Sequence, residues 1–437
     1  MTARLKTSNT AHIVIRTAIC AALTVALLGL AWSIVRGHGQ TAAGAVYGLP
    51  DTPVPSQGVH GPGVNADLTQ LVDEQGLPTG AFSLDDALDA VQRAGLTWIR
   101  QPFPWEQIES ERGHFDWTRW DHVVSACRRH DIALVAVLET SPGWAKSAAD
   151  DDYSTAPPAS LSDFGDFAAA VAARYAGALA GYQIWDAPNV QPNWGSALVS
   201  PKEYMRLLRE GSVRIRAVDP TATIVLAGLA PTTESGPLNL SEAQFLEALY
   251  RAGAAPYFDV VAAKPYGFWS GPDDRRLDNT ALNFSRLALL HDVQRRHGDA
   301  AKPLWAVEMG WNALPADWSG RVSPWGTDDE ALQATRTIAA LDRARIEWPW
   351  LTAIAFAQLL PPADANDPAA GFALLGPEGQ PRQLFDMLVA RASETPLAYP
   401  GAHAPDDPAV EYDGTWRVGP AATDIGAEGD SARIAFY

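Results

Sequence analysis

Short apolar runs alternate with longer stretches of helical period along most of this chain. Strand-like runs are read at 63–66, 97–100, 132–138, 182–185, 223–228, 258–263, 304–307 and 351–356. Helix-period segments follow them at 83–94, 117–130, 162–175, 201–218, 241–252, 281–297, 330–345 and 381–392, with Ser83 or Asp85 as the expected cap of the first. Strands that are continuously apolar, not alternating, are expected where both faces are covered, as in a parallel sheet. Eight strand–helix units over roughly 330 residues predict an α/β fold. A (β/α)8 TIM barrel suits them better than an open doubly wound sheet. In such a barrel the chemistry gathers just past the C-terminal ends of the strands, so those positions are the ones to inspect.

The two ends of the chain break this pattern. Residues 17–35 form an uncharged apolar stretch, about as long as a bilayer core is thick at ~1.5 Å per residue. Arg4, Lys6 and Arg16 precede it and only Arg36 follows at once. The positive-inside bias therefore assigns 1–16 to the cytoplasm and the rest of the chain to the outside. The stretch is longer than a signal-peptide core of about 7–15 residues, which favours a retained transmembrane anchor. The small residues from Thr41 to Ala45 leave a cleaved signal, and hence a secreted protein, as the other option. Gly- and Pro-rich residues 36–57 read as a tether, 58–392 as the barrel, and Pro-rich 393–410 as a second linker. Residues 411–437 end in an alternating, strand-like run. They read as the start of a β-sandwich that the chain does not finish, because so short a piece cannot form an independent sheet.

Composition narrows the function classes. At 47% hydrophobic and 19% charged, the 437-residue chain is not disordered. A net charge of −18 argues against nucleic-acid partners, which are gripped through phosphates. Two cysteines exclude a disulfide scaffold and the common Cys-based zinc sites. There is no His-x-x-x-His, no phosphate-cradling glycine loop and no Gly-x-Ser-x-Gly elbow, so neither metal nor cofactor is expected. Asp364-Ala-Asn-Asp367 is a weak cluster of oxygen ligands and reads as a turn.

The strand ends are rich in aromatics and carboxylates. Arg100 to Glu106 follow strand two, Glu139 to Trp144 follow strand three, and Trp185-Asp186-Ala187-Pro188-Asn189 follows strand four. Lys264-Pro-Tyr266-Gly-Phe-Trp269 follows strand six and Glu308-Met-Gly-Trp311-Asn312 follows strand seven. Several of the 16 tryptophans lie here beside Asp, Glu and Asn. Indole faces stack on the apolar faces of sugars while carboxylates and amides hold hydroxyls, so the pattern points to a carbohydrate cleft. Filling of the barrel and its helix interface is the competing use of so many indoles.

Arg100, Ser141-Pro-Gly-Trp144, Trp185-Asp-Ala-Pro-Asn189 and Val307-Glu308-Met-Gly-Trp311, in this order, resemble the strand ends of clan A glycoside hydrolases. The cellulase and β-xylosidase-like members are the nearest in look, and Phe115-Asp-Trp117 resembles the start of their second helix. The resemblance spans roughly 60–392. It implies retaining hydrolysis of O-glycosidic bonds in an oligo- or polysaccharide, with Glu308 as nucleophile. Two carboxyl groups about 5–5.5 Å apart carry that chemistry. The proton donor should stand in an Asn-Glu-Pro motif, and here that position is Ala187. Asp186 replaces the Asn of the motif, and Lys264 stands where a His often does. The resemblance makes Arg100, Trp144, Trp185, Asp186, Asn189, Lys264, Tyr266 and Trp311 the expected substrate-binding set. Arg100 and Tyr266 would hold Glu308, Lys264 would pair with Asp186, and Asn189 and Asn312 would bind hydroxyls or cap loops.

Alanine moves no proton, and general acid–base help is worth roughly 10²–10⁴-fold. Three explanations stand. Another carboxyl, Glu139 or Asp186, serves as the acid; the protein is a pseudoenzyme that still binds glycan; or a single change has silenced a member of an active family. A structural envelope protein that binds no sugar is the plainer alternative.

Overall fold

A computed structural model describes Val54 and residues 57–393. The stretch 17–35 expected to cross a membrane, most of the expected tether 36–57, all but the first residue of the expected linker 393–410 and the expected sandwich start 411–437 lie outside the described residues. Among the described residues no helix is long and apolar enough to cross a membrane.

Eight strands form one parallel sheet: β1 (Gly61–Asn65), β2 (Trp98–Pro104), β3 (Ala133–Glu139), β4 (Gly181–Ile184), β5 (Ile224–Val225), β6 (Val261–Ala263), β7 (Leu304–Met309) and β8 (Leu351–Phe356). Their order is β5-β4-β3-β2-β1-β8-β7-β6. Parallel bridges Val225–Val260 and Leu229–Ala263 join the two ends of that order, so the sheet closes. One long helix follows each strand: α1 (Leu84–Arg93), α2 (Thr118–Arg129), α3 (Leu161–Tyr175), α4 (Pro201–Val218), α5 (Glu242–Arg251), α6 (Leu287–Arg296), α7 (Glu330–Glu347) and α8 (Gln383–Ser393); a single helical turn, Trp105–Ile108, also follows β2. The chain is therefore a (β/α)8 barrel. Ser83 caps α1 and exchanges hydrogen bonds with Asp86 in a capping box.

β5 and β2 depart furthest from the expected bounds, and β6 begins only at Val261. β5 has only two residues in register, because the chain from Leu226 onward bonds to 260–263 through single bridges. β2 runs on to Pro104, in unbroken register with β3 from Trp98–Ala133 to Pro104–Glu139. That extension carries Glu139 into the sheet.

The interior holds its own core of Val59, Trp98, Val135, Val225, Val260, Ala262, Trp305, Val307, Ala353 and Ala355. The Trp98 and Trp305 rings, 5.8 Å apart, plug the barrel. Gly63 is what admits them, since a Cβ there would lie 2.4 Å from the Trp98 ring. A larger apolar layer lies between strands and helices.

Candidate functional site at the barrel mouth

Strand alternation decides most of what enters the mouth above this plug. Residues two apart share a face. Val135 is interior and so, further up β3, is Glu139; Val260 and Ala262 are interior and so are Lys264 and Tyr266; Trp98 leads to Arg100 and Gly63 to Asn65. Two residues reach the mouth only because the backbone breaks its alternation. Between the Ala306–Ile354 and Met309–Phe356 pairs, β7 carries one residue more than β8. This bulge turns Glu308 inward although Val307 is interior too. On β4, Gln183 faces inward, and the left-handed backbone of Trp185 (φ 67°) and Ala187 (φ 44°) then swings Asp186 inward.

The result is one closed network. Arg100 donates from Nη1 to Glu308 Oε1 (2.9 Å) and Asn65 Oδ1 (2.7 Å), from Nη2 to Asp186 Oδ1 (2.6 Å), and from Nε to Gln183 Oε1 (2.9 Å). Lys264 Nζ lies 2.5 Å from Asp186 Oδ2 and 2.9 Å from Glu308 Oε1. The Tyr266 hydroxyl donates to Glu308 Oε2 in a short hydrogen bond. Asn65 is itself fixed by its amide, which donates to the Val307 and Phe356 carbonyls at 2.6 and 2.9 Å. Gly228 leaves room for the network: a Cβ there would stand 2.7 Å from Val307 Cγ2, 2.9 Å from Asp186 Oδ1 and 3.3 Å from Lys264 Cε.

The electrostatics follow from burial and pairing. Burial opposes the Lys264 charge, but the Asp186 and Glu308 carboxylates outweigh it and hold its pKa above the ordinary lysine value. Arg100 is raised in the same way. Burial also opposes the Asp186 charge, and Arg100 and Lys264 outweigh it, so its pKa falls. Burial and the Glu308 charge push the Tyr266 hydroxyl up, keeping it a proton donor. Glu139 differs from its neighbours. Burial pushes its carboxyl up to about 7, the Asp186 charge pushes the same way, and Arg100 and Lys264 only partly offset them. Near neutral pH the mouth thus holds the Arg100 and Lys264 cations, an ionised Asp186 and, in Glu139, a carboxyl poised to carry a proton.

The structure brings Arg100, Glu139, Asp186, Lys264, Tyr266 and Glu308 together. It takes the other expected ligand residues elsewhere. Trp185 is 1% exposed, packs edge-on to Phe164 and Trp194, and donates its indole N–H to the Asn193 carbonyl. The left-handed turn that admits Asp186 is what sends Trp185 outward into the helix layer. Trp311 is buried against Phe284 and bonds the Ser270 carbonyl. Asn189 is buried and ties the Ala230 and Leu240 backbone to its own loop. Asn312 similarly holds the Pro368 carbonyl. Trp144 is half-buried, with Arg112 stacked 4.4 Å above one face, Trp105 at its edge and its N–H on the Glu109 carbonyl. These side chains shape the wall and do not line the network. Both aspartates of the Asp364–Asp367 turn pair with Arg321.

Asn65 and Gln183 were not singled out from sequence. Asn65 is the third residue of the 63–66 run, and polarity at a position that alternation turns inward is the one available signal. Gly228 carried no signal at all, since its role depends on Val307 and Asp186.

No family profile and no curated protein sequence matches the chain. Solved structures share its fold at low identity. One is a family 39 glycoside hydrolase from Bacteroides cellulosilyticus WH2 (17% identity, 78% of this chain and 65% of that one, TM-score 0.56). Another is a monomeric β-xylosidase from Caulobacter crescentus CB15 (16%, 78% and 69%, 0.54). A third is an exo-β-1,4-mannosidase from Opitutaceae bacterium strain TAV5 (16%, 79% and 62%, 0.53). The chain thus shares the (β/α)8 barrel fold of these solved glycosidases. The chain spans about two thirds of the length of these structures.

Proposed function

We propose that this protein binds carbohydrate at the mouth of the barrel and is a hydrolytically crippled relative of the retaining glycosidases whose fold it shares. One observation carries the reading: Lys264 Nζ reaches both Asp186 and Glu308, while position 187 offers no proton. Glu308 Oε1 already receives Arg100 and Lys264, and Oε2 receives Tyr266. A carboxylate so fully paired is a weaker nucleophile, and a departing sugar alkoxide finds no acid at the family position. The same network is a preorganised set of donors and acceptors for sugar hydroxyls. Fold alone does not decide function, so the reading rests on these side chains. Residues 17–35 would tether the barrel on the outer face of a membrane, or direct its secretion if cleaved.

The test uses the full-length chain with aryl β-xylosides, β-glucosides and β-mannosides. A good leaving group departs without acid help. Slow turnover of activated aryl glycosides is expected, with none of natural glycosides. It should vanish in Glu308→Gln and extend to poorer leaving groups in Ala187→Glu. Efficient cleavage of natural glycosides by the wild type would overturn the crippled reading.

That outcome would favour the second reading, in which Glu139 is the proton donor. Its carboxyl holds a proton up to about pH 7, beside a Glu308 that is paired with cations. A carboxyl that still carries a proton near neutral pH is what the acid of such a site requires. Glu139→Gln would then abolish cleavage of poor leaving groups first.

A further inference from the structure

The proposed cleft has one aromatic side, and it leads outward. The Tyr266 ring, whose hydroxyl meets Glu308, lies 5.6 Å from the Trp325 ring and 6.1 Å from that of Phe268. Phe268 in turn stacks on Trp269, 5.6 Å between centroids at 29°. Trp269 is 65% exposed and is the one exposed tryptophan among the described residues. Its placement is built. Phe268 adopts a left-handed backbone (φ 54°), a conformation that costs a bulky residue energy and persists only where its surroundings impose it. Gly326, from the loop after β7, passes so close that a Cβ there would stand 3.1 Å from both the Phe268 carbonyl and the Trp269 ring. An indole backed by Phe268 on one face, and braced at its edge, offers its other face to water.

We infer that Trp269 is the platform of a second sugar-binding subsite, which stacks a ring of a glycan chain running from Glu308 along the Tyr266–Phe268 side. The inference rests on the carbohydrate reading of the mouth. A neutral sugar is the occupant because the platform is continuous with the network at Glu308, and because a chain of net charge −18 repels anionic ligands. The subsite would make recognition depend on chain length, because Trp269 stands beyond Tyr266 and Phe268 from Glu308 and is reached by longer chains.

Covering on the order of 60 Å² of indole at ~25 cal/mol per Å² corresponds to about tenfold in affinity. Calorimetric titration of the full-length chain tests this with β-1,4-linked xylo-, gluco- and manno-oligosaccharides of two to six units. Wild type should bind the longer members of the preferred series about tenfold more tightly than the dimer. Trp269→Ala should erase that gain and leave dimer affinity unchanged, and Trp269→Phe should keep most of it. Equal losses at every length, or a length gain that survives Trp269→Ala, would overturn the subsite while leaving the carbohydrate reading intact. No binding of any oligosaccharide by the wild type would overturn both.

Discussion

Glu139→Gln isolates the cost of the mouth carboxyl whose burial the neighbouring cations only partly offset. The folded state lifts its pKa from an ordinary 4.5 to about 7, chiefly through burial. A group whose pKa rises on folding binds more protons in the folded state. Its favourable contribution is complete below the unfolded value and is lost as the pH rises through the folded one. For Glu139 the window is pH 4.5 to about 7, and the loss across it is roughly 3 kcal/mol. Glutamine has the same shape and no charge to bury, so it escapes this loss. The variant should therefore match wild type near pH 4.5 and be the more stable by roughly 3 kcal/mol at pH 8.5. Unfolding entropy of about 2.1 cal/mol/K per residue over roughly 340 residues makes this a relative Tm gain of about 4 °C. Thermal unfolding followed by circular dichroism at the two pH values measures it. A Tm difference that does not change with pH, or that favours wild type at pH 8.5, would show that Glu139 is not desolvated at the mouth and would remove it as a proton carrier.

Two further places probe the scaffold: Gly228 and the Arg286–Glu242 pair. Gly228→Ala places a Cβ against Val307 and Asp186 and should cost about 1–3 kcal/mol, with weaker sugar binding in the same titrations; full retention of both would mean that the network tolerates displacement of Asp186. Arg286 and Glu242 form a pair that is 2% exposed on both sides, 2.5 Å apart, between the start of α5 and the turn before α6. Arg286→Leu should cost roughly 3–5 kcal/mol by stranding Glu242, and adding Glu242→Leu should recover part of that in denaturant unfolding; strictly additive losses would deny the coupling.

Much of the architecture is legible in the chain because burial on both faces leaves a direct mark. Most strands of a covered parallel sheet are largely apolar runs, broken here mainly where Asn65, Arg100 and Gln183 face the mouth, and each helix repeats its apolar face with its own period, so the eightfold alternation needs no long-range information. Strand alternation also suffices to send Arg100, Glu139, Lys264 and Tyr266 to the mouth. What sequence periodicity could not supply is the set of exceptions to it. Glu308 and Asp186 enter the site through a bulge and a left-handed turn, and both departures depend on neighbouring strands and on the helix layer that receives Trp185. The tryptophans were misleading for a related reason: an indole serves a sugar or a helix interface equally well, and only packing distinguishes Trp185 and Trp311, buried, from Trp269, exposed. The donors that hold the network lie far apart along the chain, with Asn65 bonding across 242 residues to Val307 and Arg100 across 83 to Gln183. Closing the barrel brings such groups within 3 Å of one another, so the local pattern determined the strands and helices while closure determined which charges meet.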